Sequence, residues 1–494
     1  MSISSKAKKA IAGGAAIACL LSVAACSSSS SDANSLYIFN GKSEIGAALE
    51  QLAQDYQDET GVQVKVFSAG SGQNVTEIMN TEMTSQDPPV IWATTDLLSW
   101  GPSGGDFIED LSQTQNQELK QLLDEIPDSA RITGPDDETF AIPITLEGYG
   151  YIVNTNMLRD LFNLDDAAQL VEDLRKCSYD DFRSFTDAVD DFIKGQSSTV
   201  TVNGHEYTTA AQKTDLTGSL TGVFVEAGAE TWTYANHMIN LPLNTVYSTF
   251  SDAVYGDADR IEDAKSAIVK EMEVVEYNTS HAAGEDGPNP RGSSFVDSTT
   301  GSYDYSLQLF ADNKGLFYKQ GSWIYPNLKK IGASNLETLD IIPIKMPFEQ
   351  SDIKVEGRTP ETFNTTIPVM PSYWMINKQA GEQQKKNAED FIVWLYSSER
   401  GKQFLNDECG FIVYNDLDMR NENILNDAVR YYLDQGDTLS NPFDAAPGSW
   451  LVDVGDDMKQ QYMVQAEWDP STYAQFADKE IAHWKELKAS LTGE

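Results

Sequence analysis

Apolar positions along this chain recur with two periods, close to two and close to 3.6, and the alternation between them predicts an α/β protein. Leu36 to Phe39 reads as a short strand. Ile45, Leu49, Leu52 and Tyr56 then fall at helical spacing, and Gly61 supplies the glycine stop of that helix. Val62 to Phe67 alternates as a second strand, followed by the loop Ser68-Ala69-Gly70-Ser71-Gly72 and a helix through Ile78 and Met83. Pro88-Pro89 precede a third strand, Val90 to Ala93. The order β-α-β-loop-α opens an open α/β sheet, in which ligands bind beyond the carboxyl ends of the strands. Asn40, Gly70, Trp92 and Asp96 lie at those ends.

Thr139 to Met157 has two apolar runs interrupted by Pro143, Glu147, Gly148 and Gly150. We read it as two strands joined at a bend beside Glu147, since a proline has no N–H for a central ladder. Such a bend serves either as a bulge within one domain or as the crossing between two lobes. The flanking segments favour the crossing. Ser178 with Asp181 makes a capping-box start for a helix whose face is Phe182, Phe185, Val189 and Phe192. Asn203-Gly204 marks a hairpin, and residues 279–301 read as a loop. Tyr305 to Asn313 reads as a helix, Gly315 to Trp323 as a strand ending in a glycine turn, and Leu339 to Ile344 as another strand. Tyr373 to Ile376 fits a crossing back between lobes. Helices through Phe391 and through Ile481, Trp484 and Leu487 complete the chain.

Charge narrows the partners. Among 494 residues, 76 acids face 35 bases, a formal net charge of -41, which disfavours nucleic acid, anionic lipid and polyanionic substrates. Neutral or cationic ligands remain. Lys6, Lys8 and Lys9 precede an apolar run from Ala10 to Val23, broken by Gly13 and Gly14, and then Val23-Ala24-Ala25-Cys26. That is a signal peptide, too short and glycine-rich for a membrane span. Small residues directly before Cys26 look like the lipobox of bacterial lipoproteins. This implies cleavage before Cys26, acylation of its thiol, and Ser27 to Ser31 as a tether on the extracytoplasmic face of the cell membrane; an ordinary secretory signal is the alternative. Cys177 and Cys409 make no disulfide framework, and His205, His237, His281 and His483 show no metal-ligand spacing.

Four parts of the chain carry a resemblance. They are Pro143 to Tyr151 with Asn154; Gly321-Ser322-Trp323; Lys386 to Leu395 followed by Ser398-Glu399-Arg400-Gly401 and Gly410-Phe411; and Pro89-Val90-Ile91-Trp92. Together they resemble the family 1 extracellular solute-binding proteins, carbohydrate receptors of ATP-driven bacterial importers, over essentially all of the mature chain. The resemblance implies a two-lobed periplasmic-binding-protein-like fold with discontinuous lobes and a cleft between them. It would place a first lobe at 36–143 and 373–440, and a second at 144–372 with a C-terminal region 441–494 mainly on it. It also implies a monomer without cofactor that binds a neutral oligosaccharide and delivers it to membrane permease subunits. Cys177 and Cys409 would fall in different lobes, where a disulfide would restrict closure, so we expect thiols. The sequence departs from the family's glycine-hydrophobic-proline ending at Val413, and residues 160–300 are rich in insertions.

A pyranose offers an apolar C–H face and a rim of hydroxyls, so its receptor needs flat aromatic surfaces and short polar side chains. Trp92, Trp232, Trp323 and Trp374 are candidates for the first, Asp96 and Glu147 for the second. Trp394 and Trp484 lie on apolar helix faces and read as core. Trp92 and Trp323, at strand exits, favour ligand contact, whereas Trp232, Trp374 and Trp450 fit either role. A secreted glycoside hydrolase also combines carboxylates with aromatics. Against that reading, the elements do not run as eight βα units; against a surface adhesin, the chain has no all-β repeats.

Overall fold

The computed structural model describes residues 34–492 apart from 71–74, 95 and 103. The signal peptide, Cys26 and most of the tether therefore lie outside the described residues. β1 (Ser35–Asn40) pairs in parallel with β2 (Gln63–Ser68) and β3 (Ile91–Trp92). The helix Gly46–Thr60 joins β1 to β2, burying Leu49, Leu52 and Tyr56, and stops where Gly61 takes a φ of 77°. The next long strand is β4 (Ile142–Asn154), and β5 (Thr199–Val202) with β6 (His205–Thr208) forms a separate hairpin. Its turn residues Asn203 and Gly204 have φ of 47° and 86°, the left-handed pair such a turn requires. β7 (Gly222–Val225), β8 (Gly315–Gly321), β9 (Leu339–Ile342), β10 (Ile367–Ile376) and β11 (Thr438–Leu439) follow.

Among the described residues, one sheet runs in the order β2-β1-β3-β10-β4-β8-β7, with β11 beside β10 and β9 beside β4. Two strands hold it together. From Ile142 to Gly148, β4 pairs with β10; from Tyr149 onward it pairs instead with β8 and β9. β10 in turn reaches β3 through Met375 and Ile376. The change of partner at Gly148 and Tyr149 splits the sheet into two halves that share a pair of antiparallel strands.

The stretch around Glu147 differs from the expected pair of strands, because it is one strand of thirteen residues. Pro143 is accommodated by a bulge: Tyr373 faces Pro143 while Ser372 faces Thr145, leaving Ile144 as the extra residue. The Pro143 carbonyl accepts from the Tyr396 hydroxyl. Missing an N–H is tolerable where the ladder is already interrupted.

Period-two alternation then sorts the core. Phe39, Trp92, Tyr149, Tyr151, Val153 and Met375 face one side of the sheet. Ile38, Ile91, Ile144, Leu146, Ile152, Val369, Trp374 and Ile376 face the other. The first face also receives the helices Asn236–Asn244 and Lys265–Ser280 and the C-terminal helix Tyr473–Thr492, with Trp450 edge-on to Trp484 at 4.9 Å. The helix Tyr179–Ile193 begins as expected, the Ser178 hydroxyl accepting from the Asp181 N–H at 3.1 Å. Cys177 is buried, and it and Cys409 are not joined by a disulfide.

Gly150 has no room for a side chain. A methyl there would lie 2.5 Å from the Ile342 carbonyl oxygen of β9. Gly150→Ala should therefore lower stability by about 1–3 kcal/mol, the usual cost of forcing an extra carbon into a packed interior. Urea denaturation measures this, and an unchanged midpoint would contradict the close pairing of β4 with β9.

Candidate functional site

β3 exits at Trp92 into Ala93-Thr94, and Asp96 caps the helix Leu97–Trp100 by accepting from the Ser99 N–H at 3.1 Å. This exit and the helix Val75–Met83 form one wall of a cavity of about 1000 Å³. Thr231, Trp232 and Asn236 form another part, and the segment from Asp444 to Val452 completes it. That volume is at the upper end for a small-molecule site. Its described lining contains three carboxylates, Glu77, Asp96 and Asp444, and no lysine or arginine. A second depression of about 730 Å³, at Tyr325 and Asn406 to Gly410, is lined by no tryptophan.

Trp232 belongs to an aromatic group at the cavity edge. Its indole N–H donates to Glu230 at 3.1 Å, and its ring meets His237 edge-on at 5.1 Å. His237 stacks on Tyr149 at 4.3 Å and lies 5.4 Å from Trp323, so the two partly exposed tryptophans share one buried imidazole. Burial pushes His237 down to about 3, and the Lys319 ammonium adds to the effect, so the ring is neutral and serves as an aromatic plate. Lys319 itself is held by Glu226 at 2.8 Å inside the protein. Trp323 follows the end of β8, and a side-chain carbon on Gly321 would fall 2.1 Å from its indole. The glycine turn thus exists so that the tryptophan can fold back over its own backbone. The Trp323 N–H donates to Gln320 at 3.1 Å.

Other expected contacts go elsewhere. Trp92 is 0% exposed, edge-on to Trp100 at 5.3 Å, and has no face left for a ligand. Trp374 is 3% exposed on the opposite face of the sheet, tilted against Phe391 at 5.9 Å. Both are corrections with one cause: each stands inside the sheet, where alternation points it into a core. Asn40 is also buried, donating to the Lys42 carbonyl at 2.7 Å and to Ser68 at 3.1 Å to close the β1 exit. Gly70 is exposed at the next exit. Glu147 is buried and pairs with the Lys42 ammonium at 3.0 Å, tying the exit of β1 to the point where β4 changes partners. Glu147 is not part of the cavity lining. Asp96 and Trp232 are.

Asp444 was not among the sequence candidates. It sits on the turn Pro442–Ala445 after β11, partly buried in the cavity wall, and burial alone pushes its carboxyl up to about 7. His237 and Tyr149 were also missed as supports for the tryptophans. The signal available was Asn441-Pro442-Phe443-Asp444, a turn directly after a strand.

These features, two half-sheets joined by crossing strands with an aromatic-edged cavity at the strand exits, define a two-lobed solute-binding protein. A family model described as bacterial extracellular solute-binding protein matches residues 51–411, and the chain belongs to that family. No curated protein sequence matches it. Among solved structures it resembles RafE in complex with raffinose, at 16% identity and a TM-score of 0.61 over 92% of this chain and 100% of that one. It also resembles a Bacillus licheniformis sugar transporter in complex with stachyose, at 14% identity and 0.56 over 92% and 100%. The GacH receptor of Streptomyces glaucescens aligns at 12% identity and 0.58 over 92% and 98%. At such identities the likeness establishes the fold.

The Lys42–Glu147 pair yields a prediction. Glu147→Gln should remove the charge of a buried carboxylate from its ion pair with Lys42 and cost about 1–3 kcal/mol in urea denaturation. No loss of stability would contradict the tie between β1 and β4.

Proposed function

We propose that this chain is a lipid-anchored receptor that closes its lobes on a neutral oligosaccharide and hands it to an ATP-driven membrane importer. The observation that carries this reading is Trp232, which lines a cavity together with carboxylates, hydroxyls and two amides and is linked through His237 to Trp323, outside that lining. Stacking rings suit the C–H faces of pyranoses, and acceptors suit their hydroxyls. The described cavity lining, which has carboxylates and neither lysine nor arginine, speaks against an anionic ligand. The raffinose and stachyose held by two structural neighbours agree in class, and are the first sugars to try. The lobe division at 143/144, 372/373 and 440/441 and the acylation of Cys26 belong to the same reading. No helix among the described residues is long and apolar enough to cross a membrane.

A glycoside-processing enzyme is the second reading. Asp444 favours it, because a carboxyl raised by burial is what a general acid needs. Mass spectrometry of sugar recovered after incubation separates the two: a receptor returns it intact, and shortened products would identify an enzyme.

Trp323→Ala should weaken sugar binding by more than tenfold, since truncating an aromatic anchor costs about 2 kcal/mol or more. Trp484→Ala, which empties a fully buried site, should instead lower the melting temperature while leaving affinity nearly intact. Titration calorimetry beside thermal melts reads both, and unchanged affinity in a folded Trp323→Ala protein would remove the stacking role. Cys26→Ser should release the protein from the membrane fraction. If the variant stays with membranes and the native form carries no acyl mass, the anchor is wrong.

A further inference from the structure

Asp444 is an unusual carboxylate in a protein rich in them. Among the described residues it has no hydrogen-bond or ion-pair partner on its side chain, and burial is the sole cause of its shift. Asp444 lines the cavity, so its carboxyl faces the space a ligand would fill rather than a protein partner. The backbone that carries it is nonetheless held firmly. Asn240, on the helix Asn236–Asn244, donates to the Ser440 carbonyl at 3.1 Å, and its own oxygen accepts from the Phe443 N–H at 3.4 Å. Asn244 donates to the same Ser440 carbonyl at 3.0 Å, and Asn441 donates to the Val369 carbonyl of β10. All three asparagines are buried. Three amides thus fix a turn whose one acidic side chain is left unmatched in the cavity wall.

The groups around it do not neutralise it. Tyr149 and Tyr373 feel its charge, and burial holds both phenols well above their ordinary value. On the packed helix Phe250–Tyr255, Asp252 is paired with Arg260, and burial raises the Tyr255 phenol. His237, on the helix Asn236–Asn244, is uncharged at neutral pH. The remaining charges on the cavity lining, Asp96 and Glu77, are carboxylates themselves.

We propose that Asp444 is a ligand-contact residue, the acceptor that takes hydroxyl hydrogens of the bound oligosaccharide, and that it must be ionised to do so. The inference rests on the sugar-receptor reading and adds to it a named residue and a pH dependence. A carboxylate accepts with both oxygens, whereas a carboxylic acid presents one donor in competition, so protonation weakens capture. With its proton lost near neutrality, binding tightens as pH rises through about 7. The stability effect has the opposite sign. Because the folded protein holds this proton more tightly than the unfolded chain, Asp444 favours folding below the ordinary aspartate range, and that contribution is lost as pH rises to about 7.

The test is calorimetric titration of the whole mature protein at pH 5.5 and pH 8 with raffinose, stachyose and further neutral oligosaccharides, repeated on Asp444→Asn and Asp444→Ala. The native protein should bind its sugar roughly tenfold or more weakly at pH 5.5 than at pH 8. Both variants should bind at least about fivefold more weakly than native at pH 8 and lose the pH step. Their melting temperatures at pH 8 should equal or exceed the native one, since an unpaired acid has been removed. Variants that keep native affinity and the native pH step would overturn the inference and leave the receptor reading standing. Variants that lose affinity only together with thermal stability would show Asp444 to be structural. Failure of every sugar to bind the native protein would overturn both.

Discussion

The whole arrangement depends on two antiparallel strands passing through both halves of the sheet. β4 and β10 pair with each other in the middle and with different neighbours at either end. A ladder of that kind allows little sliding between the halves, but its centre is thin: beyond Gly148 neither edge of β4 is shared with β10. Bending concentrates at such a junction, because only a few backbone hydrogen bonds change geometry there. The bulge at Ile144, the glycines at 148 and 150, and the Lys42–Glu147 pair all gather within that short region.

The change of partners along β4 also bears on where a ligand can be held. The exit of β3 and the helix Val75–Met83 meet Trp232 and the Asp444 turn around one cavity, so on the receptor reading a closing motion would narrow it. The chemistry of that cavity is asymmetric. The one aromatic ring in the described lining, Trp232, comes from the later part of the chain and is braced by His237, whereas polar groups come from both sides: Glu77, Asn80 and Asp96 from one, Asn236 and Asp444 from the other. On the receptor reading, a ligand that stacks on Trp232 and hydrogen-bonds the facing wall would draw both together and so couple binding energy to closure.

Much of the scaffold was legible in the sequence because it rests on local rules. Gly61 ends a helix through a positive φ, Asn203-Gly204 turns a hairpin, and Ser178 caps a helix, each decided within a few residues. The site was legible only in part, since pairing across the fold decides which side of a strand is free. Trp92 and Trp374 stand in apolar strand segments like those beside any cleft, yet sheet neighbours close over both. The Gly321-Ser322-Trp323 turn was legible because Gly321 has a steric purpose, but only the fold shows that Trp323 packs on His237 outside the described cavity lining. Asp444 could not be singled out, since its distinction is the lack of a partner, which needs distant segments to be seen together. The single strand across Glu147 was hidden for a similar reason: the bulge that rescues Pro143 depends on β10, more than 200 residues later.

The central claim is that a cavity between two halves captures an intact neutral oligosaccharide. Native mass spectrometry of the mature protein after incubation with a mixture of neutral oligosaccharides tests it most directly. The account expects one sugar bound per chain, recovered at its original length, with binding reduced in the Trp323→Ala protein. A protein that retains no sugar from the mixture, or that returns shortened ones, would contradict it.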